Sequence, residues 1–263
     1  MTFTVDERLL RKTLSYLPLG GLRYFEQTNS TNDIALAWAA SGARDLALVY
    51  AEEQTLGRGR SGRQWFTPAG TALAFSLILR PLPGEQQSLS LFTALGALAV
   101  CEAVGLLGLQ PEIKWPNDVL LNRRKFCGVL VEAIWLGEKV DSVVVGVGIN
   151  VVAASVPAPE LLNFPATCLD AEAQRTIDRL ALLRDVFQAL LYWRGLIGKD
   201  VFLHAWEHRL AFRGETVEVR SEAGEAKLGK IEGLEGDGSL RLRSPQSEIF
   251  TVHVGEVHLR PLV

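Results

Sequence analysis

The stretch Ile113–Val151, IKWPNDVLLNRRKFCGVLVEAIWLGEKVDSVVVGVGINV, holds four apolar, β-branched runs separated by short turn signals. Ile113–Trp115, Val119–Leu121, Phe126–Trp135 and Val140–Val151 read as successive strands, and NRRK between the second and third reads as a hairpin turn. Strands this closely spaced build a sheet from neighbouring chain. Pro116 restricts Trp115 to extended backbone and ends strand pairing there. That predicts Lys114 at the end of a strand, exposed, with Asn117 and Asp118 in the turn beyond it.

Working toward the N-terminus, Ser88–Leu107 is apolar almost all round, which predicts a helix packed inside the fold. ALAFSLILR from Ala72, Leu46–Ala51 and Leu22–Gln27 read as strands. In TNSTND, Thr28–Asp33, Ser30 or Thr31 caps a helix that ends at Ser41-Gly42. Asp6–Leu17 has helical spacing and stops at Pro18. Toward the C-terminus, residues 176–210 form a helical pattern. From Gly214 the chain turns into short strands with turns such as Asp237-Gly238, which predicts a small SH3-like barrel. The expected domains are 1–208 and 209–263.

With a net charge of -3 and a pI near 5.9, the chain lacks the overall basic footprint of a nucleic-acid binder. Any anion must be held by a local cluster of charge. Cys101, Cys127 and Cys168 form no CxxC pair and read as reduced, buried thiols of a cytoplasmic protein. No signal peptide or membrane-length apolar run is evident. His204 and His208 stand four apart on a helix without a third metal ligand in sight, so metal ligands are unknown.

GRGRSGR, Gly57–Arg63, supplies the local charge. Glycines at 57, 59 and 62 allow positive φ and close backbone approach, and arginine forks suit carboxylate or phosphate. Such crowding is self-repulsive unless an anion sits there. Alone, such a loop is more often a solvated basic segment than an anion site. Gly146 and Gly148 alternate on one strand and leave a face without side chains, against which a flat ring or another backbone can lie. Asn150 at that strand's end offers an amide to a base edge, or is an ordinary turn asparagine. Gly128 interrupts a second strand beside Cys127, whose distance from every histidine favours an inert thiol over a nucleophile.

In this order, TNSTND, Gln54 with GRGRSGRQW, KWPNDVLL, KFCGVLVE and GVGINV resemble the motifs of the biotin protein ligase family. The resemblance implies an α+β fold, a mixed β-sheet flanked by helices, with a C-terminal SH3-like β-barrel. It implies that biotin and MgATP give biotinyl-5′-AMP and pyrophosphate, after which a lysine of a biotin carboxyl carrier domain displaces AMP. Ser30, Thr31, Asn32, Gln54 and Gly128 would then bind biotin. Arg58, Gly59 and Arg60 would close over biotin and adenylate, with Lys114 and Arg60 catalytic and Lys114 placed where carboxylate meets α-phosphate. Arg63, Trp65, Asn117 and Asn150 would complete the nucleotide site. The segment before Thr28 is too short for the winged helix of the bifunctional members, so operator DNA binding is not expected. Some relatives form sheet-edge homodimers; nothing in this sequence demonstrates one. The competing readings are a lipoate or octanoate transferase of the same fold and a non-catalytic nucleic-acid binder.

Overall fold

The computed structural model describes residues 5–82, 84–85, 89–221, 226–253 and 257–261. Helix α1 (Glu7–Thr13) starts at Asp6, whose carboxylate accepts the Leu9 N–H at 2.7 Å. Strand β1 (Gly21–Thr28), helix α2 (Thr31–Ala40) and strand β2 (Ala47–Gln54) make a β-α-β crossover, with β1 and β2 parallel. Ser30 is the cap of α2, accepting from Asp33 N–H. Strand β3 (Ala72–Leu79) then runs antiparallel to β2.

Helix α3 (Leu89–Gly105) is buried on nearly every side, as its composition requires. The four strands expected after it are β4 (Glu112–Lys114), β5 (Asp118–Leu121), β6 (Arg124–Leu136) and β7 (Lys139–Asn150). Asn122 and Arg123 take positive φ in the β5–β6 turn, the pattern of a tight two-residue hairpin. The sheet order is β1-β2-β3-β7-β6-β5-β4, antiparallel throughout except for the β1–β2 pair. Asp118 corrects the sequence-based expectation: it opens β5, in register with Lys114, rather than lying in the turn.

A short helix α4 (Leu169–Ala173) precedes α5 (Arg179–Arg194) and α6 (Asp200–His208). The 176–210 pattern is therefore two long helices, broken where Gly198 takes φ +76°. On one sheet face, α3 and α5 pack together over a large apolar core that includes Val143, Val145 and Val147. On the other, α2 covers a smaller cluster of Ala35, Ala39, Val49, Ile78 and Val144. The alternation of neighbouring β7 residues between the two clusters is the period of two in a sheet covered on both faces.

The C-terminal strands are β8 (Thr216–Ser221), β9 (Ala226–Leu234), β10 (Leu240–Arg243), β11 (Ile249–Val252) and β12 (Val257–Pro261). They form an antiparallel sheet ordered β11-β10-β9-β8-β12, the SH3-like unit expected. The final apolar run is two strands on opposite edges of that sheet, not one. Among the described residues no helix is long and apolar enough to cross a membrane, and no group of three His, Cys, Asp or Glu could hold a metal ion.

Candidate active site

One register row crosses the large sheet on the α2 face: Lys114 opposite Asp118, Asp118 opposite Gly128, Gly128 opposite Gly148, and Gly148 opposite Ala74. The row runs from charge to bare backbone. Above it lies a cleft of about 940 Å³ lined by all thirteen residues expected from sequence: Ser30, Thr31, Asn32, Gln54, Arg58, Gly59, Arg60, Arg63, Trp65, Lys114, Asn117, Gly128 and Asn150.

At one end the cleft floor is neutral and fully bonded. Thr31 donates from both backbone N–H and hydroxyl to Gln54 Oε1, at 2.7 and 3.0 Å. Gln54 Nε2 donates to Thr67 at 3.2 Å. Ser76 Oγ lies 2.5 Å from Asn32 Oδ1, and Asn32 Nδ2 donates to Glu132 at 2.8 Å. Gly146 makes room for this asparagine, because a Cβ there would stand 2.0 Å from Asn32 Oδ1. Buried amides and hydroxyls held so firmly recognise a polar, uncharged group by shape and donor–acceptor pattern.

The other end is cationic. Lys114 Nζ donates to Asp118 at 3.1 Å and Lys125 Nζ lies 2.5 Å from the other oxygen of the same carboxylate. Burial pushes the Lys114 ammonium below its usual range, and Lys125 and Arg63 add to that, against the pull of Asp118. Burial alone would raise Asp118, but the two lysines outweigh it and hold the carboxyl well below its usual range. Lys114 thus differs from expectation: it is a mostly buried, ion-paired residue, with Phe164 5.1 Å from its ammonium. Sequence reasoning missed Lys125 and Asp118 as site residues. The signal was present, since Lys125 sits three residues before Gly128 in KFCG and Asp118 closes KWPND.

The basic loop folds over the middle of the cleft. Gly57 and Trp65 pair through Trp65 N–H to Gly57 O at 2.8 Å, and Gly59 N–H donates to Arg63 O at 2.7 Å. Gly62 and Ser61 both take positive φ at the tip. Of the three glycines, Gly62 supplies the turn and Gly57 the close approach, where a Cβ would meet Trp65 O at 2.3 Å. Gly59 is extended and meets neither demand. Arg58 is bidentate to Glu132 at 2.9 and 2.6 Å and reaches Asp33 at 2.7 Å. Burial opposes its charge, yet Glu132 and Asp33 outweigh that and hold it more firmly protonated. The loop's self-repulsion is therefore relieved partly by protein carboxylates, a role the sequence did not reveal. Arg60 donates to Asn117 Oδ1 at 3.4 Å, and Asn117 Nδ2 donates to Val129 O at 2.9 Å.

The flat ring expected over the glycine strand is Trp65. A Cβ on Gly148 would stand 2.3 Å from its indole, and one on Gly128 3.2 Å. Lys125 lies 5.4 Å from the same ring. The Trp65 indole N–H and Arg58 Nε are buried and have no hydrogen-bond partner among the described residues. Asn150 lines the cleft, and its amide donates to Thr167 O at 3.2 Å, tying the 151–167 segment to the cleft rim. That segment also lines the cleft through Leu162 and Phe164, and sequence reasoning passed over it for want of a periodic pattern. Cys127 is buried behind the sheet, and burial pushes its thiol well up, as for Cys101.

Residues 24–150 match the Biotin/lipoate A/B protein ligase family and residues 212–260 match the Biotin protein ligase C terminal domain. The chain is 37% identical over 226 residues to the biotin–[acetyl-CoA-carboxylase] ligase of Paracoccus denitrificans, covering 83% of this chain and 92% of that one. It is 32% identical to the corresponding Mycobacterium tuberculosis ligase, covering 97% and 96%. Among solved structures, the Aquifex aeolicus biotin protein ligase in complex with biotin and ATP superposes with a TM-score of 0.79 at 28% identity, covering 92% of this chain and 99% of the other. Sheet, cleft, small C-terminal unit and sequence agree, and the chain belongs to the biotin protein ligase family.

Proposed function

We propose the following division of labour in the cleft. The protein is an ATP-dependent biotin protein ligase: it joins biotin to AMP with release of pyrophosphate, then passes biotin to a lysine. The observation that carries the division is the single register row that sets the Lys114–Asp118–Lys125 cluster beside the Gly128–Gly148 floor, within one cleft that also holds the neutral amide pocket. Ser30, Thr31, Asn32 and Gln54 hold the uncharged ring system of biotin. Its carboxylate points toward Lys114 and Lys125.

In the first step a carboxylate oxygen attacks the α-phosphorus, forming an acyl phosphate bond while pyrophosphate leaves. Two anions must approach, so the barrier has a large electrostatic part. Lys114, Lys125, Arg60 and Arg63 offset the repulsion and stabilise the charge that develops on the phosphoryl oxygens. Magnesium, brought in as MgATP, would supply charge shielding for the departing pyrophosphate. Trp65, packed on the glycine pair, walls the nucleotide site, and its buried indole N–H becomes a donor to ligand. The loop of Arg58–Arg63 and the 151–167 segment exclude water from the reactive anhydride. Asn150 steadies that segment beside the nucleotide.

In the second step the acceptor amine attacks the acyl carbon, and AMP leaves with the bonding electrons. We assign the acceptor as a biotin carboxyl carrier domain, and place the division between catalytic and C-terminal units at residues 208 and 209. The test is transfer of biotin to a purified acceptor domain with MgATP. Biotin on the acceptor lysine is expected; transfer of lipoate alone would overturn the reading.

A further inference from the structure

The KWPND turn sits at a weak place. Strand β4 is the sheet edge and has only three residues in register with β5. Such a short edge hairpin is marginal without support from outside the sheet. Part of the support is the chain after α6, where Ile113 N–H donates to Arg209 O at 2.6 Å and Ala211 N–H donates to Ile113 O at 2.9 Å.

The rest comes from the C-terminal unit. Trp115, between Lys114 and Pro116, is buried, and its indole N–H donates to the Gly238 carbonyl at 3.0 Å. Gly238 lies in the turn joining β9 to β10, at φ +83°. A Cβ on it would stand 2.6 Å from the Trp206 ring and 3.1 Å from Leu91. The preceding carbonyl, Asp237 O, accepts from the Ser90 hydroxyl at 2.7 Å at the start of α3. Glu207 at the end of α6 accepts from Leu234 N–H at 3.0 Å. The turn is thereby fixed on three sides, and one of its carbonyls holds the tryptophan between the ion-paired lysine and the asparagine that meets Arg60. Trp115 and Gly238 hydrogen-bond each other, and no ligand is needed between them.

We propose that the β9–β10 turn is a positioning element for the adenylation site, with Trp115 as the positioning residue acting through Lys114, Asn117 and Asp118. This rests on the adenylation reading above. The neutral pocket for biotin lies across the cleft and does not depend on the turn, so the two can be separated.

The experiment measures biotin-dependent ATP–pyrophosphate exchange of wild type, Trp115→Phe, Gly238→Ala and the double variant, with biotin affinity by calorimetry and Tm alongside. Phenylalanine keeps the ring in the core and deletes the donor; alanine shifts the acceptor. Each single variant is expected to lose about ten- to a hundredfold in kcat, as for a small misplacement of a reacting group. Biotin affinity should stay within about twofold, and the double variant should lose no more than the worse single one, since one contact is broken once. Should Gly238→Ala, strained by its φ and its contact with Trp206, not fold, Trp115→Phe decides alone. Unchanged kcat in a folded variant, multiplying losses, or biotin affinity falling in step with kcat would overturn the proposal. No exchange by wild type would instead overturn the adenylation reading, and this inference with it.

Discussion

The two ends of the cleft are built on opposite principles. Around Thr31, Asn32, Gln54 and Ser76, donors and acceptors satisfy one another at 2.5–3.0 Å, with no formal charge among the four. Around Asp118, two ammonium groups share one carboxylate, and Arg60 and Arg63 line the same wall. The first arrangement is rigid and selective, and costs little to keep folded because its polar groups are paired. The second keeps a surplus of positive charge in a partly buried place, which anions relieve. On the function proposed above, selection of the acid and activation of its carboxylate would fall to different residues, and perturbing one end should leave the other largely intact.

The largest effect is expected at the charged end. Lys114→Ala and Lys125→Ala should each lower the exchange rate by about 10²- to 10³-fold, the scale of losing one transition-state charge partner, while calorimetry finds a much smaller loss of biotin affinity. Equal losses of rate and of biotin affinity would break the division. Asp118→Asn strikes the same end through stability, because it leaves two partly buried ammonium groups without their carboxylate; the cost is about 3–5 kcal/mol in denaturant unfolding. Its pH signature has a definite sign. The folded-state pKa of Asp118 lies below its unfolded value, so its contribution is present above the ordinary carboxylate range and fades as pH falls through the lowered value. In the variant that acid-side loss disappears. The alkaline limb of the exchange rate also moves to lower pH, since Lys114 loses the carboxylate that opposes the effect of its burial.

Smaller effects fall on the loop and the neutral end. Arg60→Ala should speed release of biotinyl-AMP about tenfold, measured as label escaping on gel filtration. Asn32→Ala should cost about 1–3 kcal/mol of biotin affinity, the scale of an unsatisfied buried partner, with exchange at saturating biotin within a few-fold of wild type. The smallest effect belongs to Cys127→Ala. Exchange should be unchanged, because no covalent enzyme intermediate is involved.

Much of this was legible before the structure. The strands of the large sheet and helix α3 announce themselves by burial pattern, and the cleft residues by glycines and charges at unusual places. What escaped had physical reasons. Asp118 looked like a turn residue because Pro116 marks a break, yet pairing resumes within two residues. Glu132 as the partner of Arg58 depends on a contact across 74 residues of sequence, which no local pattern encodes. Lys114 looked exposed because burial at a sheet edge is decided by Phe164 and Lys125, which other segments deliver. The role of Gly238 was hidden for the same reason: Asp237-Gly238 reads as an ordinary hairpin turn, and only the docked Trp115 gives its carbonyl another task.

If this cleft joins biotin to the α-phosphate of ATP, the protein itself must hold the product of that bond. The direct measurement incubates the protein with biotin and ATP labelled in either the α- or the γ-phosphate, separates protein from free nucleotide, and identifies what the protein retains. Biotin-dependent retention of the α-label as biotinyl-5′-AMP is expected, with the γ-label released as pyrophosphate. Retention that requires lipoate instead of biotin, or retention of the γ-label with the biotin, would contradict it.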